Sequence, residues 1–244
     1  MIINTFNQAV FLFKNKSFIF WHNFRYLHSK RNKMKLFLIT LSLISITVFG
    51  QDTKSQGILD KVSAKMKEYK SFYIEFSSSV KNTASGVNDS EIGKGWVKGN
   101  KFYASYGDNT IISNGTKTWT VVKEEKSVYE TDASAKDEDA INPKKLMTIW
   151  ETGFKNKYDK EETLGGEKVH VINLFPKNAA KADYHTIILY ISKTDLELKK
   201  AIMKAKDGTV MSYTLTKFTP NASIEDTKFV FDIKKYPGYK VIKD

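Results

Sequence analysis

After Ser71 the chain runs mostly in short apolar-alternating segments separated by turn chemistry. Phe72, Ile74 and Phe76 alternate with Tyr73, Glu75 and Ser77, the two-residue period of a half-buried strand. Strand-like segments follow at Gly95–Ala104, Thr110–Ser113, Lys117–Val122 and Lys126–Thr131. They resume at Lys168–Leu174, Thr186–Ser192, Leu198–Lys206, Thr209–Phe218 and Lys228–Ile233. Asn114-Gly115 joins two segments as a hairpin signal, because both residue types tolerate positive φ, and Gly165-Gly166 and Asp207-Gly208 mark further tight turns. Parallel neighbours would need crossover connections of a dozen or more residues, usually helical. Segments this closely spaced instead dictate an antiparallel meander.

Two helical patterns interrupt this meander. Over residues 53–70, Ile58, Leu59, Val62, Met66 and Tyr69 fall on one stripe, with Asp52 or Thr53 placed to cap the start. The second begins at Pro143, a sound first helical residue, and carries Leu146, Met147, Ile149 and Trp150. It is short and lies between strands, so it is expected to pack across the sheet. No Pro/Ser/Gly linker divides residues 51–244, which read as one domain.

The formal charge of +12 invites a nucleic-acid reading, but its distribution argues against one. Residues 1–50 hold seven basic residues and no acid, leaving +5 for residues 51–244. Met34 and Lys35 form a short basic start, and the apolar run Leu36–Phe49 ends in Val48-Phe49-Gly50. That run is shorter than the ~20 residues a membrane-spanning helix needs. Residues 34–50 are therefore expected to be a secretory signal peptide cut after Gly50, giving a periplasmic protein that begins at Gln51. Residues 1–33 are then a doubtful upstream extension, with translation expected to start at Met34. The competing reading of that stretch is an amphipathic helix lying on a membrane surface.

Chemistry-bearing constellations are missing. The chain has no cysteine, which removes disulfides, thiolate metal sites, a cysteine nucleophile and a lipidated N-terminal cysteine. His170 and His185 have no metal-ligand neighbours, and Asp137-Glu138-Asp139 and Glu161-Glu162 lack the ligand order of a calcium loop. There is no nucleophile elbow, phosphate-binding loop or dinucleotide fingerprint. Ser77, Ser78 and Ser79 have no base near them in sequence. No catalytic residue, metal or cofactor is assigned, and the chain does not read as an enzyme. Arginine is absent after residue 31 and the lysines are scattered, so nucleic acid is not an expected partner.

What remains is an excess of large apolar side chains on a small β domain: Phe72, Phe76, Trp96, Phe102, Trp119 and Trp150. Ordinary core packing accounts for them, and so does a concavity between a curved sheet and its helices. The runs KSFYIEFSSSV, GKGWVKGNKFYASY, TIISNGTKTWTVV, NPKKLMTIW and DTKFVFDIKKYPGYKVI, in this order after an amphipathic helix, resemble the periplasmic outer-membrane lipoprotein carrier (LolA-like) family. The resemblance covers nearly all of residues 51–244.

The resemblance implies a mainly β fold with a helical lid, an unclosed antiparallel β-barrel covered by short helices around a hydrophobic cavity. It implies a soluble, monomeric periplasmic carrier that takes acylated lipoproteins from an inner-membrane lipoprotein-releasing ABC transporter to an unidentified outer-membrane acceptor. The expected acyl-chain cavity is Phe72, Ile74, Phe76, Trp96, Phe102 and Trp119, under lid residues Leu59, Val62, Met66, Leu146, Met147 and Trp150. A one-residue register change would reverse every strand side chain, so the inward face stays open at this point. Family members often carry K-R-P-x-x-F where this chain has Lys98-Gly99-Asn100-Lys101-Phe102, without Arg or Pro. Lys98 or Lys101 is the expected substitute for the lid-latching Arg, although an ammonium does not reproduce its fork of donors. Two other binding readings remain: a half-barrel lipid-binding sensor or regulatory module, and a carrier for another acylated lipid or pigment precursor.

Overall fold

Helix α1 spans Thr53–Glu68 and starts where the sequence places it. Asp52 Oδ1 accepts hydrogen bonds from Lys54 N at 2.9 Å and Ser55 N at 3.3 Å, which satisfies two of the donors a helix start leaves unpaired. Lys65 and Lys67 lie in the last turn, against the negative end of the helix dipole. The computed structural model describes residues 52–133 and 149–243. Residues 1–33 and 34–50, and the part of the second helical segment that holds Leu146 and Met147, lie outside the described residues; its end is a 3-10 turn, Ile149–Glu151, that carries Trp150.

Twelve strands follow α1 among the described residues: β1 (Ser71–Asn82), β2 (Val87–Lys98), β3 (Lys101–Tyr106), β4 (Asn109–Ser113), β5 (Lys117–Val122), β6 (Ser127–Asp132), β7 (Phe154–Leu164), β8 (Glu167–Pro176), β9 (Tyr184–Ser192), β10 (Leu198–Ala205), β11 (Val210–Pro220) and β12 (Lys240–Lys243). They form one open sheet in the order β12-β6-β5-β4-β3-β2-β1-β11-β10-β9-β8-β7. Every neighbour pair is antiparallel except β12 with β6, which is parallel. The mainly β, unclosed architecture thus agrees with expectation.

Three segments differ. The expected strand Gly95–Ala104 is a hairpin, with β2 ending at Lys98 and β3 starting at Lys101 across Gly99, whose φ of +60° suits glycine. Phe154–Leu164 is a full strand that the polar sequence FKNKYDKEETL does not announce. Lys228–Ile233 is not a strand: two 3-10 turns, Asp226–Phe229 and Ile233–Lys235, lead instead to β12.

The face carrying α1, here the inner face, holds the larger core. Leu59 and Val62 of α1 pack with Phe72, Ile74, Phe76, Val97, Phe102, Ile111, Leu174, Leu189, Met203 and Tyr213. The other, outer face of β4–β6 holds a smaller core of Ile112, Trp119, Val121 and Val128. Phe231, Tyr236 and Tyr239 of the C-terminal segment cover it, with Phe231 stacked on Trp119 at 5.3 Å.

Candidate functional site

Register divides the expected cavity residues between the two faces. Phe72 pairs with Val97, Ile74 with Gly95 and Phe76 with Gly93, and Phe102 pairs with Val97, so all four expected residues share the inner face. Tyr73 pairs with Trp96, Trp96 with Tyr103, Tyr103 with Ile112 and Ile112 with Trp119. Trp96 and Trp119 therefore lie in one row on the outer face, away from the phenylalanines. The physical reason is the period of two: Trp96 and Val97 are neighbours in sequence and must point oppositely.

On the inner face α1 is fastened most firmly at its start. Ser55 Oγ donates to Asn156 Oδ1 at 2.5 Å, Asn156 Nδ2 donates to Gln56 Oε1 at 2.7 Å, and Tyr158 N donates to Asp52 Oδ2 at 2.9 Å. The Tyr158 N–H holds the Asp52 carboxyl below its ordinary pKa; burial opposes this, while the Ser55 and Lys54 N–H groups add to it. Midway, buried Trp150 donates from Nε1 to Ser63 Oγ at 2.9 Å and to Leu59 O at 3.3 Å. Towards its end the helix is held by ammonium groups, Lys67 to Glu151 at 2.6 Å and Lys65 to the Asp195 carbonyl.

The free space beneath α1 is small. It encloses about 20 Å³, room for one water, between Met66 of the helix and Ile74, Phe76, Leu198, Ala201, Tyr213, Leu215 and Phe218 of the sheet. The space between Met66 and the sheet is too small for an acyl chain, being filled by side chains of α1 and the sheet. The lining is almost wholly apolar, and burial pushes the Tyr213 phenol upward, so it stays neutral.

The β9–β10 loop forms one rim. Lys199 Nζ lies 3.0 Å from Asp195, 3.1 Å from Glu197 and 3.5 Å from Glu167. Burial works against the Lys199 charge, but the carboxylates of Asp195 and Glu197 outweigh it and raise its pKa. Leu196, in the same loop, has a φ of +57°, uncommon for a residue with a Cβ. Met66, Ile74 and Phe76 are among the sequence candidates, whereas Leu198, Tyr213, Leu215 and Phe218 are not. Leu198 opens β10, and the signal of the other three is the alternation of β11, which a bulge between Glu75 and Phe76 in the β1–β11 pairing shifts by one residue, so that Thr216 has no partner in β1.

Lys98 and Lys101 hold a different element from the one expected of a latch. Lys98 Nζ lies 3.0 Å from Asp226 and donates to Ile224 O at 3.0 Å, while Lys101 Nζ lies 3.4 Å from Asp226. Both fasten the C-terminal segment to the outer face. A mixed polar groove of about 480 Å³ lies there, lined by Trp96 and Tyr103 and by Glu225, Lys228, Asp232 and Lys235. Lys228 Nζ sits 3.8 Å from the Trp96 ring centroid and 4.2 Å from that of Tyr103.

The histidines are distant from both places. His170 Nδ1 meets Tyr158 OH at 3.2 Å, and His185 Nδ1 meets Thr186 Oγ1 at 2.8 Å. Among the described residues no three His, Asp or Glu side chains converge as metal ligands.

The family model for the outer membrane lipoprotein carrier protein LolA matches residues 46–209. The chain belongs to the LolA family. Among solved structures it is similar to an uncharacterized conserved protein from Thermus thermophilus, with a TM-score of 0.52 and 11% identity over 78% of this chain and 99% of that one. A LolA superfamily protein from Nitrosomonas europaea is 14% identical over 72% of this chain and 97% of its own, with a TM-score of 0.39. LprF from Mycobacterium bovis is 12% identical over 72% and 97%, with a TM-score of 0.45. A search of curated proteins gives no match. The LolA match takes in α1 and β1–β10, including the helix and most of the apolar inner face. It stops short of β11, the C-terminal segment and β12, so the outer-face groove is built largely from residues beyond it.

Proposed function

We propose that the protein is a periplasmic carrier that shields the acyl chains of lipoproteins between α1 and the inner face of its sheet. In this reading it receives them from an inner-membrane lipoprotein-releasing ABC transporter and delivers them to an outer-membrane acceptor, after export by a signal peptide cut after Gly50. Membership of the LolA family carries the proposal. The inner face supports it, being apolar over many strands and covered by one helix whose C-terminal half lies over the residual free space. Acyl chains need such a sleeve in water, because each exposed methylene costs about 0.8 kcal/mol.

Loading then proceeds by movement of α1 about its start, where Asp52, Ser55 and Gln56 are bonded to β7. The far end gives way where Lys65 and Lys67 hold it through two long, flexible side chains. Phe76, Tyr213 and Phe218, with Met66, are the side chains an entering chain meets. Phe72, Ile74 and Phe102 form the deeper wall, and Leu59, Val62 and Trp150 the cover.

Gentle purification from the envelope fraction followed by mass spectrometry tests the proposal. Co-purifying acylated lipoproteins are the expected result. Free lipid or a pigment precursor in their place, or no apolar cargo at all, refutes the lipoprotein assignment.

A further inference from the structure

Residues 228–244 at the C-terminal end are basic: Lys228, Lys234, Lys235, Lys240 and Lys243 stand against Asp232 and Asp244, a net +3. Residues 228–243 of this stretch hold an excess of exposed apolar side chains. Of seven large hydrophobic residues exposed among the described residues, four are Val230, Ile233, Val241 and Ile242, with Val230 59% exposed. A soluble surface ordinarily keeps such side chains scattered, whereas here they interleave with lysines along VFDIKKYPGYKVIK.

Nearby acids do not cancel this charge. Asp226 is taken by Lys98 and Lys101, Glu130 by Lys117 with Lys243 at 3.9 Å, and Asp232 Oδ1 caps Lys234 N at 3.0 Å. Glu225 is exposed at the start of the segment. The β5–β6 turn, Lys123 to Lys126, has two lysines and two glutamates. Lys234, Lys235 and Lys240 are exposed and make no ion pair among the described residues.

We propose that residues 228–243 are a docking surface for an anionic phospholipid bilayer. Lysines pair with lipid phosphates at the headgroup level while valine and isoleucine side chains enter the acyl boundary, the arrangement that peripheral membrane segments use. An acidic protein surface would satisfy the lysines but leave the interleaved aliphatic side chains without a role. The surface runs from the outer face to the sheet edge at β12, where Val241 and Lys243 lie on the outer side and Lys240 and Ile242 on the other, and its assignment is independent of what the inner face carries.

Sedimentation with vesicles tests it. The protein is mixed at low salt with phosphatidylcholine vesicles containing about one quarter phosphatidylglycerol, and with phosphatidylcholine alone. The expected result is partition into the anionic vesicles only, weakened about 25-fold by Lys234→Gln with Lys235→Gln, at about fivefold per lysine. Ile233→Ser weakens it several-fold further. These side chains are exposed, so the variants keep the fold, which thermal melting verifies. Comparison of variants with the parent protein cancels any contribution from apolar segments elsewhere. Equal partition to both vesicle types, insensitivity to the lysine pair, insensitivity to Ile233→Ser, or equally tight binding to soluble polyglutamate each overturns the proposal.

Discussion

Gly93 is the position where space on the inner face is most sharply tested. It lies in β2 opposite Phe76, outside the left-handed backbone region, so alanine there is limited only by what its methyl meets. That methyl would lie 2.7 Å from Phe76 Cε1 and 2.8 Å from Cε2, and closer still to Cζ. The ring must therefore withdraw by about 1 Å towards Tyr213, whose ring centroid is 6.3 Å away, and into the residual free space. Overpacking of this kind costs about 1–3 kcal/mol, partly offset by the ~0.5–1 kcal/mol that alanine gains over glycine in a strand. Gly93→Ala is expected to lose about 1–2 kcal/mol in urea denaturation and to weaken binding of a fluorescent fatty acid. In a Phe76→Ala background the same substitution should be neutral or stabilising, giving a coupling energy of about 1.5–3 kcal/mol. A loss below about 0.5 kcal/mol in the parent protein, or an equal loss in both backgrounds, refutes the placement of Phe76 between Gly93 and the free space.

Three further outcomes follow from the fastening of α1 and the C-terminal segment. Trp150→Phe removes the donor to Ser63 Oγ and Leu59 O and should cost about 1–3 kcal/mol in denaturant melts, with Ser63→Ala recovering part of it in the double variant. Asp52 has a folded pKa below its ordinary value of 3.8, so its stabilisation is complete above that value and is lost as pH falls below it towards the lower folded pKa. Thermal melts across that window should show a steeper decline for the parent protein than for Asp52→Asn. Lys98→Ala with Lys101→Ala breaks exposed pairs and should change global stability by less than about 1 kcal/mol, while amide exchange at residues 224–229 accelerates.

Local chemistry was legible wherever it was self-contained. Asp52 capping α1, the alternation of Phe72, Ile74 and Phe76, and the Asn114-Gly115 turn each need only a few adjacent residues, and each is found. Strands that draw their order from neighbours were not. Residues 87–92 are exposed or half-exposed and show no apolar alternation, yet they extend β2 because β1 pairs with them through Asn82. Polar β7 likewise forms on β8. Trp96 and Trp119 were recognisable as members of alternating strands, but which face is inner is a property of the row from Tyr73 to Trp119, assembled across five strands. Trp119 owes its burial to Phe231, more than a hundred residues later in the chain.

In the proposed carrier, the covering of the inner face by α1 has an energetic meaning. α1 covers it with buried Leu59 and Val62 and partly buried Ile58 and Met66, and at about 1.5–3 kcal/mol for each fully buried side chain that cover is worth at most roughly 6–12 kcal/mol. An acyl chain with about fourteen methylenes, at about 0.8 kcal/mol each, gains roughly 11 kcal/mol in the same environment. In such a carrier, one acyl chain and the helix cover are matched to within a few kcal/mol, and each further chain tips the exchange towards cargo. A cavity kept open in water would lose this balance, because its apolar wall would already have met the cost of exposure before cargo arrived. In the proposed carrier the side chains that fill the inner face in this structure would act as a substitute ligand, and the bonds of Asp52, Ser55 and Gln56 to Tyr158 and Asn156 would keep the helix attached while cargo displaces it.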